Sequence, residues 1–225
     1  MASFEQHVNV AVVATGLLIA PLHSANILDI NQSLIVLALG VLGGVLPDLD
    51  SDNSKPVQIS FKILSIFIPL LVLLSVAKTI TIFNMVAIWT IASVLLHLIF
   101  TYIFLKLTTH RGIFHSIPMG IVFAQVTAIL FDKVIGLSST FSTIAGIFLL
   151  VGFLVHLLLD ELFSVNALGL SIKKSAGTAF KLYDKNNIIG TASLYAIIAG
   201  LFFMFPVKLE IFTKLFDLFK NITLI

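Results

Sequence analysis

The chain has 225 residues, of which 59% are hydrophobic and 11% charged, with a formal net charge of +2. Soluble domains carry roughly 25% charged residues, so this composition defines an integral membrane protein, and so small a charge argues against nucleic acid as a partner. There is no cysteine, which excludes disulfides and thiolate metal sites and leaves nitrogen and oxygen donors for any ion.

Residues 1–7 lack the basic region and small-residue cleavage site of a signal peptide. A spanning helix needs about 20 apolar residues, and seven stretches approach that length. The first runs from about Val8 to Leu22 and the second from about Ser33 to Leu46; both are short enough to form an embedded hairpin instead of two full spans. Ile63–Phe83, interrupted by Pro69 and Lys78, is the third, and Met85–Leu107, carrying His97, the fourth. Ile117–Leu137, Thr140–Phe163 and Ile188–Pro206 complete the series. The tail, 207–225, alternates Lys208, Glu210, Lys214, Asp217 and Lys220 with Leu, Ile and Phe at helical spacing, the pattern of an interfacial amphipathic helix. The expected fold is therefore an all-α membrane bundle of six to seven spans, with one embedded domain over 1–206 and an amphipathic tail.

Ionisable residues at membrane depth cost about 2.5–3.5 kcal/mol each and mark function by default. Here they fall into three clusters at span ends: Asp48 with Asp50, His110 with His115, and His156 with Asp160. Counting crossings from the N-terminus, spans 2, 4 and 6 deliver all three clusters to the side on which His7 begins span 1. Two half-crossings by the first pair would give the same result. That side also collects Lys55, Lys62, Lys106, Arg111, Lys173, Lys174, Lys181 and Lys185, so the positive-inside rule makes it cytoplasmic, with the N-terminus.

Each cluster has a plain reading beside a chemical one. Asp48 and Asp50 follow Gly43-Gly44 and Pro47, where a lone aspartate would serve as a cap; two carboxylates in one turn also suit a cation. His110 and His115 flank Arg111-Gly112, a tight turn whose residues suit either interfacial anchoring or ligation. Arg111 has the bidentate fork that matches a phosphate or carboxylate, and Ser116 is placed to cap the next span. His156 and Asp160, at i and i+4, share one face of an otherwise apolar helix, which fits a shared cation or a proton relay. Glu161 lies about 100° round that helix, a candidate catalytic base. Lys173 and Lys174 sit in a hydroxyl-rich loop that serves topology or clamps a phosphate. His97, in mid-span, reads as a packing residue or an outer hydrogen-bond partner of the site.

The set His7, Leu46-Pro47-Asp48-Leu49-Asp50, His110-Arg111-Gly112-Ile113-Phe114-His115-Ser116 and His156-Leu157-Leu158-Leu159-Asp160 resembles the bacterial YdjM-like family of inner-membrane proteins, read as metal-dependent hydrolases. The resemblance covers about residues 7–185. It implies a multi-pass inner-membrane protein whose His and Asp residues bind divalent metal for hydrolysis; some members are described as LexA-binding. Family members often carry a histidine directly after the Leu-Pro-Asp-x-Asp run, where this chain has Ser51.

The combined expectation is a membrane-bound metal-dependent hydrolase. Its metal ligands are drawn from His7, Asp48, Asp50, His110, His115, His156 and Asp160. Glu161 and Arg111 are the catalytic candidates, with Arg111, Lys173 and Lys174 on the substrate. Six or seven ligands exceed what one catalytic zinc needs, so one or two ions are expected, Zn²⁺ first and Mn²⁺ or Fe²⁺ as alternatives. An amphiphilic phosphoester, presented by the lipid bilayer, is the expected substrate class. The alternatives are a metal-binding regulator or anchor for a protein partner and a metal-ion transporter, although a transporter would place its polar residues nearer the midplane.

Overall fold

Ser3 and Gln6 start the first helix. The Ser3 hydroxyl accepts from the Gln6 N–H at 3.3 Å, and the Gln6 side-chain oxygen accepts from the Ser3 N–H at 2.7 Å, a reciprocal capping box. The computed structural model describes residues 3–50, 62, 65–70, 72–73, 80–99, 115–166, 171–172, 180–184 and 187–205. Helix α1 runs Phe4–Ser24. A second box, between Asp29 and Gln32, opens α2, Ile30–Gly43, which passes into a 3₁₀ turn, Leu46–Asp50. Polar caps thus extend both elements beyond their apolar stretches. At 21 residues, and at 19 for Ile30–Asp48, both are long enough to cross hydrocarbon about 30 Å thick, and no half-crossing hairpin is required. Between them Asn26 takes a positive φ of 54°, and His23 donates its Nδ1–H to the Leu28 carbonyl at 3.0 Å.

Helix α3 is Ile82–Ile99, none of whose residues is buried; the Trp89 indole N–H ties it to the Ile66 carbonyl at 3.1 Å. Helix α4, Ile117–Ile129, has Pro118 in its first turn and relaxes into a π turn over Leu130–Val134, so the fifth expected span is not one uniform helix. Helix α5 is Ser139–Ser164 and α6 is Ile188–Met204. Five segments among the described residues are long and apolar enough to cross a membrane, α6 being shorter. The third expected span lies partly outside the described residues, as does the end of the fourth, and the 207–225 tail lies wholly outside them. A two-residue antiparallel pair, Val165–Asn166 with Ser171–Ile172, follows α5; it was not expected.

Helix α5 is the hub, packing on α1, α2 and α4, while α6 lies on α4. One apolar cluster joins Ile19, Leu22, Leu28 and Val36 to Phe141, Ile144 and Phe148. A second joins Leu46, Met119, Leu149, Phe153, Leu157 and Leu194. Large apolar side chains such as Leu17, Phe83, Ile189 and Phe203 point outward, the surface that bilayer hydrocarbon covers.

Small residues set the distances at the hub. A Cβ at Gly43 would strike the Leu149 carbonyl, and one at Gly40 would strike the Thr15 side chain. Backbones approach this closely where side chains are absent, as is common at membrane helix interfaces. Gly43→Ala is therefore expected to destabilise the detergent-solubilised protein by about 1–3 kcal/mol, as overpacking does. Gly16→Ala, whose new Cβ meets nothing within 4 Å, should leave the thermal unfolding midpoint unchanged or slightly raised.

Candidate metal centre

Four helix ends meet at one place. His7 lies in the second turn of α1, Asp48 in the 3₁₀ turn after α2, His115 just before α4, and His156 with Asp160 in the last turns of α5. His7, His115, His156 and Asp160 are each at most 2% exposed, whereas the Asp48 side chain is 29% exposed. Asp160 divides its oxygens: Oδ1 lies 3.5 Å from His7 Nε2, and Oδ2 lies 3.7 Å from His115 Nε2 and 4.0 Å from His156 Nε2. Asp48 Oδ1 closes the ring, 3.8 Å from His115 Nε2 and 3.5 Å from His156 Nε2. The His7 and His156 rings stack with centroids 3.7 Å apart, and His115 stands edge-on to His156.

These separations carry chemical information. Hydrogen bonds between imidazolium and carboxylate run about 2.7–2.9 Å; the five His–Asp distances here are all longer. His7 Nδ1, His156 Nε2 and both Asp160 oxygens are buried without a hydrogen-bond partner, an arrangement that costs free energy unless something satisfies them. Two donors bound tetrahedrally to one ion at about 2.0–2.2 Å lie roughly 3.3–3.6 Å apart, close to the observed spacing. The two carboxylate charges also need a counter-charge, which a cation held between them and the imidazoles would supply. Nitrogen and oxygen donors without sulfur suit zinc, manganese or iron. The donor set therefore fits a divalent cation.

Among the described residues two donor triplets fall within ion-binding reach, His7–His156–Asp160 and Asp48–His115–His156. They share His156. Its Nδ1 is already committed, donating to the Gly44 carbonyl at 2.7 Å, so only Nε2 remains for an ion. The five residues therefore make one connected cluster and not two independent sites.

The other expected site residues stand apart or lie outside the described residues. Glu161 belongs to neither triplet; it is half-buried and its carbonyl accepts from the Ser164 hydroxyl at 2.6 Å. His110, Arg111, Lys173, Lys174 and the Asp50 side chain lie outside the described residues. His23 occupies the opposite end of α1 from His7, and His97 belongs to the exposed helix α3. The Gly44 carbonyl was not among the expected site groups. Its sequence signal was the Gly40-x-x-x-Gly44 spacing, which reads as helix packing and gives no hint of a histidine partner.

Fold and cluster together define a multi-pass helical membrane protein with a buried His/Asp cluster at one end of the bundle. A family model described as YdjM inner membrane protein matches residues 1–170, and the chain belongs to that family. The match includes all five clustered residues. No curated protein and no solved structure matches the chain.

If the cluster holds an ion, Zn²⁺ titration of the purified protein should give saturable binding. Replacing a donor by alanine should cost more than the about 10–100-fold that loss of an outer partner costs. His156→Ala and Asp160→Ala are expected to lose most bound metal, with His97→Ala unaffected, as read by calorimetry and elemental analysis.

Proposed function

We propose that the protein is a membrane-bound, metal-dependent hydrolase acting on an amphiphilic phosphoester. The observation that carries this reading is the convergence of three imidazoles and two carboxylates, four of the five residues buried, at the end of the spans and not at their middle. A divalent ion held there would activate water and offset developing negative charge.

The residues themselves divide the work. His115, His156 and Asp160 are the buried holders, with His7 against the second Asp160 oxygen. Asp48 is the exposed member, so the open side of the cluster is the Asp48 side, and a substrate reaches the ion past this carboxylate. The layer inward of the cluster, Leu46, Leu149, Phe153 and Leu157 with Met119, is closely packed and apolar, which favours surface chemistry over passage of an ion through the bundle. Arg111, four residues before His115 in the chain, and Lys173 and Lys174, just after the Ser171–Ile172 strand, supply cations suited to a phosphate. Glu161, adjacent to Asp160, is the candidate proton acceptor. The positive-charge bias supports a cytoplasmic site and N-terminus, where a headgroup in the adjoining leaflet would be within reach.

The test is hydrolysis of lipid phosphoesters and soluble phosphodiesters by purified protein with added Zn²⁺ or Mn²⁺. Asp48→Asn, which removes a charge but little volume, should lower turnover by more than about 100-fold while the protein stays folded. Arg111→Lys should keep metal content and still lose activity, because lysine lacks the bidentate fork. Metal uptake into vesicles without hydrolysis would replace this reading by transport; tight metal binding with neither activity would replace it by a regulatory anchor.

A further inference from the structure

The bond from His156 Nδ1 to the Gly44 carbonyl depends on that carbonyl having no helical partner. In a continuing helix it would accept from the N–H four residues on, at Asp48. Asp48 instead donates to Val45 at 3.2 Å, because the chain has tightened into the 3₁₀ turn. A 3₁₀ partner would be the N–H three residues on, at position 47, which is proline and has none. Pro47 is itself fully buried. The one turn that presents Asp48 to the cluster therefore also releases the Gly44 oxygen.

Distance is supplied by α5. Gly152 is one turn before His156, on the same face. A Cβ there would run into the Gly40 carbonyl and come within 2.9 Å of the Gly44 nitrogen, so α2 can reach His156 only with glycine at 152. On its other side, a Cβ at Gly44 would come within 2.7 Å of the Ala11 Cβ and 3.6 Å of the His7 carbonyl. The same glycine thus lets α1 bring the His7 ring onto the His156 ring. The bare seam points to a ligand because of what faces it: His156 Nε2 and both Asp160 oxygens are buried without hydrogen bonds.

We infer that Pro47 and Gly152 are positioning residues of the metal centre. Pro47 frees the Gly44 carbonyl, Gly152 brings it to His156, and the resulting hydrogen bond holds that imidazole as the Nδ1–H tautomer with the Nε2 lone pair aimed at Asp48 and Asp160. The metal-binding half of this rests on the reading above; the tautomer does not. An outer hydrogen bond of this type sets ring orientation and donor strength in metal-bound histidines.

The experiment is long-range ¹H–¹⁵N NMR of histidine-labelled protein in detergent, metal-free and with Zn²⁺, assigning His156 by the signal missing in His156→Gln. The metal-free wild type should show His156 protonated on Nδ1. Pro47→Ala, which restores a competing N–H, and Gly152→Ala, which pushes α2 away, should both mix the tautomers and weaken Zn²⁺ binding by about 10–100-fold. Gly16→Ala should do neither. Wild-type His156 protonated on Nε2 and not on Nδ1 would overturn the proposal without requiring any variant to fold. Folded Pro47→Ala and Gly152→Ala proteins with wild-type tautomer and affinity would also overturn it. A wild type with the Nδ1–H tautomer but no metal affinity would support the positioning role and sink the hydrolase reading instead, so the two fail separately.

Discussion

Asp160 is the point on which the structure turns. Its carboxylate is buried at the end of a helix whose sequence is otherwise apolar, and neither oxygen has a hydrogen bond. A charge in that position is tolerated only beside compensating groups. The surrounding helix ends bring three imidazoles within 3.5–4.0 Å of it and a second carboxylate, Asp48, within 3.5–3.8 Å of two of those imidazoles, separations longer than direct charged hydrogen bonds and of the size two donors to a shared cation would have. The glycine contacts between α2 and α5, the stacking of His7 on His156 and the tight turn at Pro47 all serve to bring those groups around one carboxylate.

Much of this was legible in the chain, and for identifiable reasons. His156 and Asp160 share a helical face by spacing alone. Counting crossings placed His7, Asp48 and His115 on their side of the membrane, and the contacts among these residues agree. Helix lengths were less legible: the apolar runs begin at Val8 and Ser33, whereas Ser3–Gln6 and Asp29–Gln32 start the helices earlier, through polar residues, by capping chemistry that hydropathy does not register. The π turn after Ile129 and the short strand pair after Ser164 likewise depend on local hydrogen bonding in segments whose composition resembles ordinary span ends. The Gly44 carbonyl could not be read as a site group, since a backbone oxygen has no residue type to announce it.

The location of the cluster constrains function as much as its composition. A transport site wants polar groups near the bilayer midplane and a path on both sides. Here the clustered His and Asp residues occupy one end, Asp48 alone among these five has appreciable exposure, and packed Leu46, Phe153 and Leu157 lie on the inward side. Such a layout supports the proposed chemistry on a molecule presented at the membrane surface, in which the buried donors would fix an ion and the Asp48 carboxylate would face the reactant. Family membership places the chain among inner-membrane proteins, and the lipid-facing outer surfaces of α1, α3 and α6 agree with that setting.

The most direct test of the metal centre is X-ray absorption spectroscopy of the zinc-loaded protein in detergent. The account predicts a first shell of nitrogen and oxygen only, at about 2.0–2.2 Å, with the outer-shell scattering of at least two imidazoles. The imidazole contribution should disappear in the His115→Ala/His156→Ala double variant. A spectrum of hydrated zinc without imidazole scattering, or one unchanged in that variant, would contradict it.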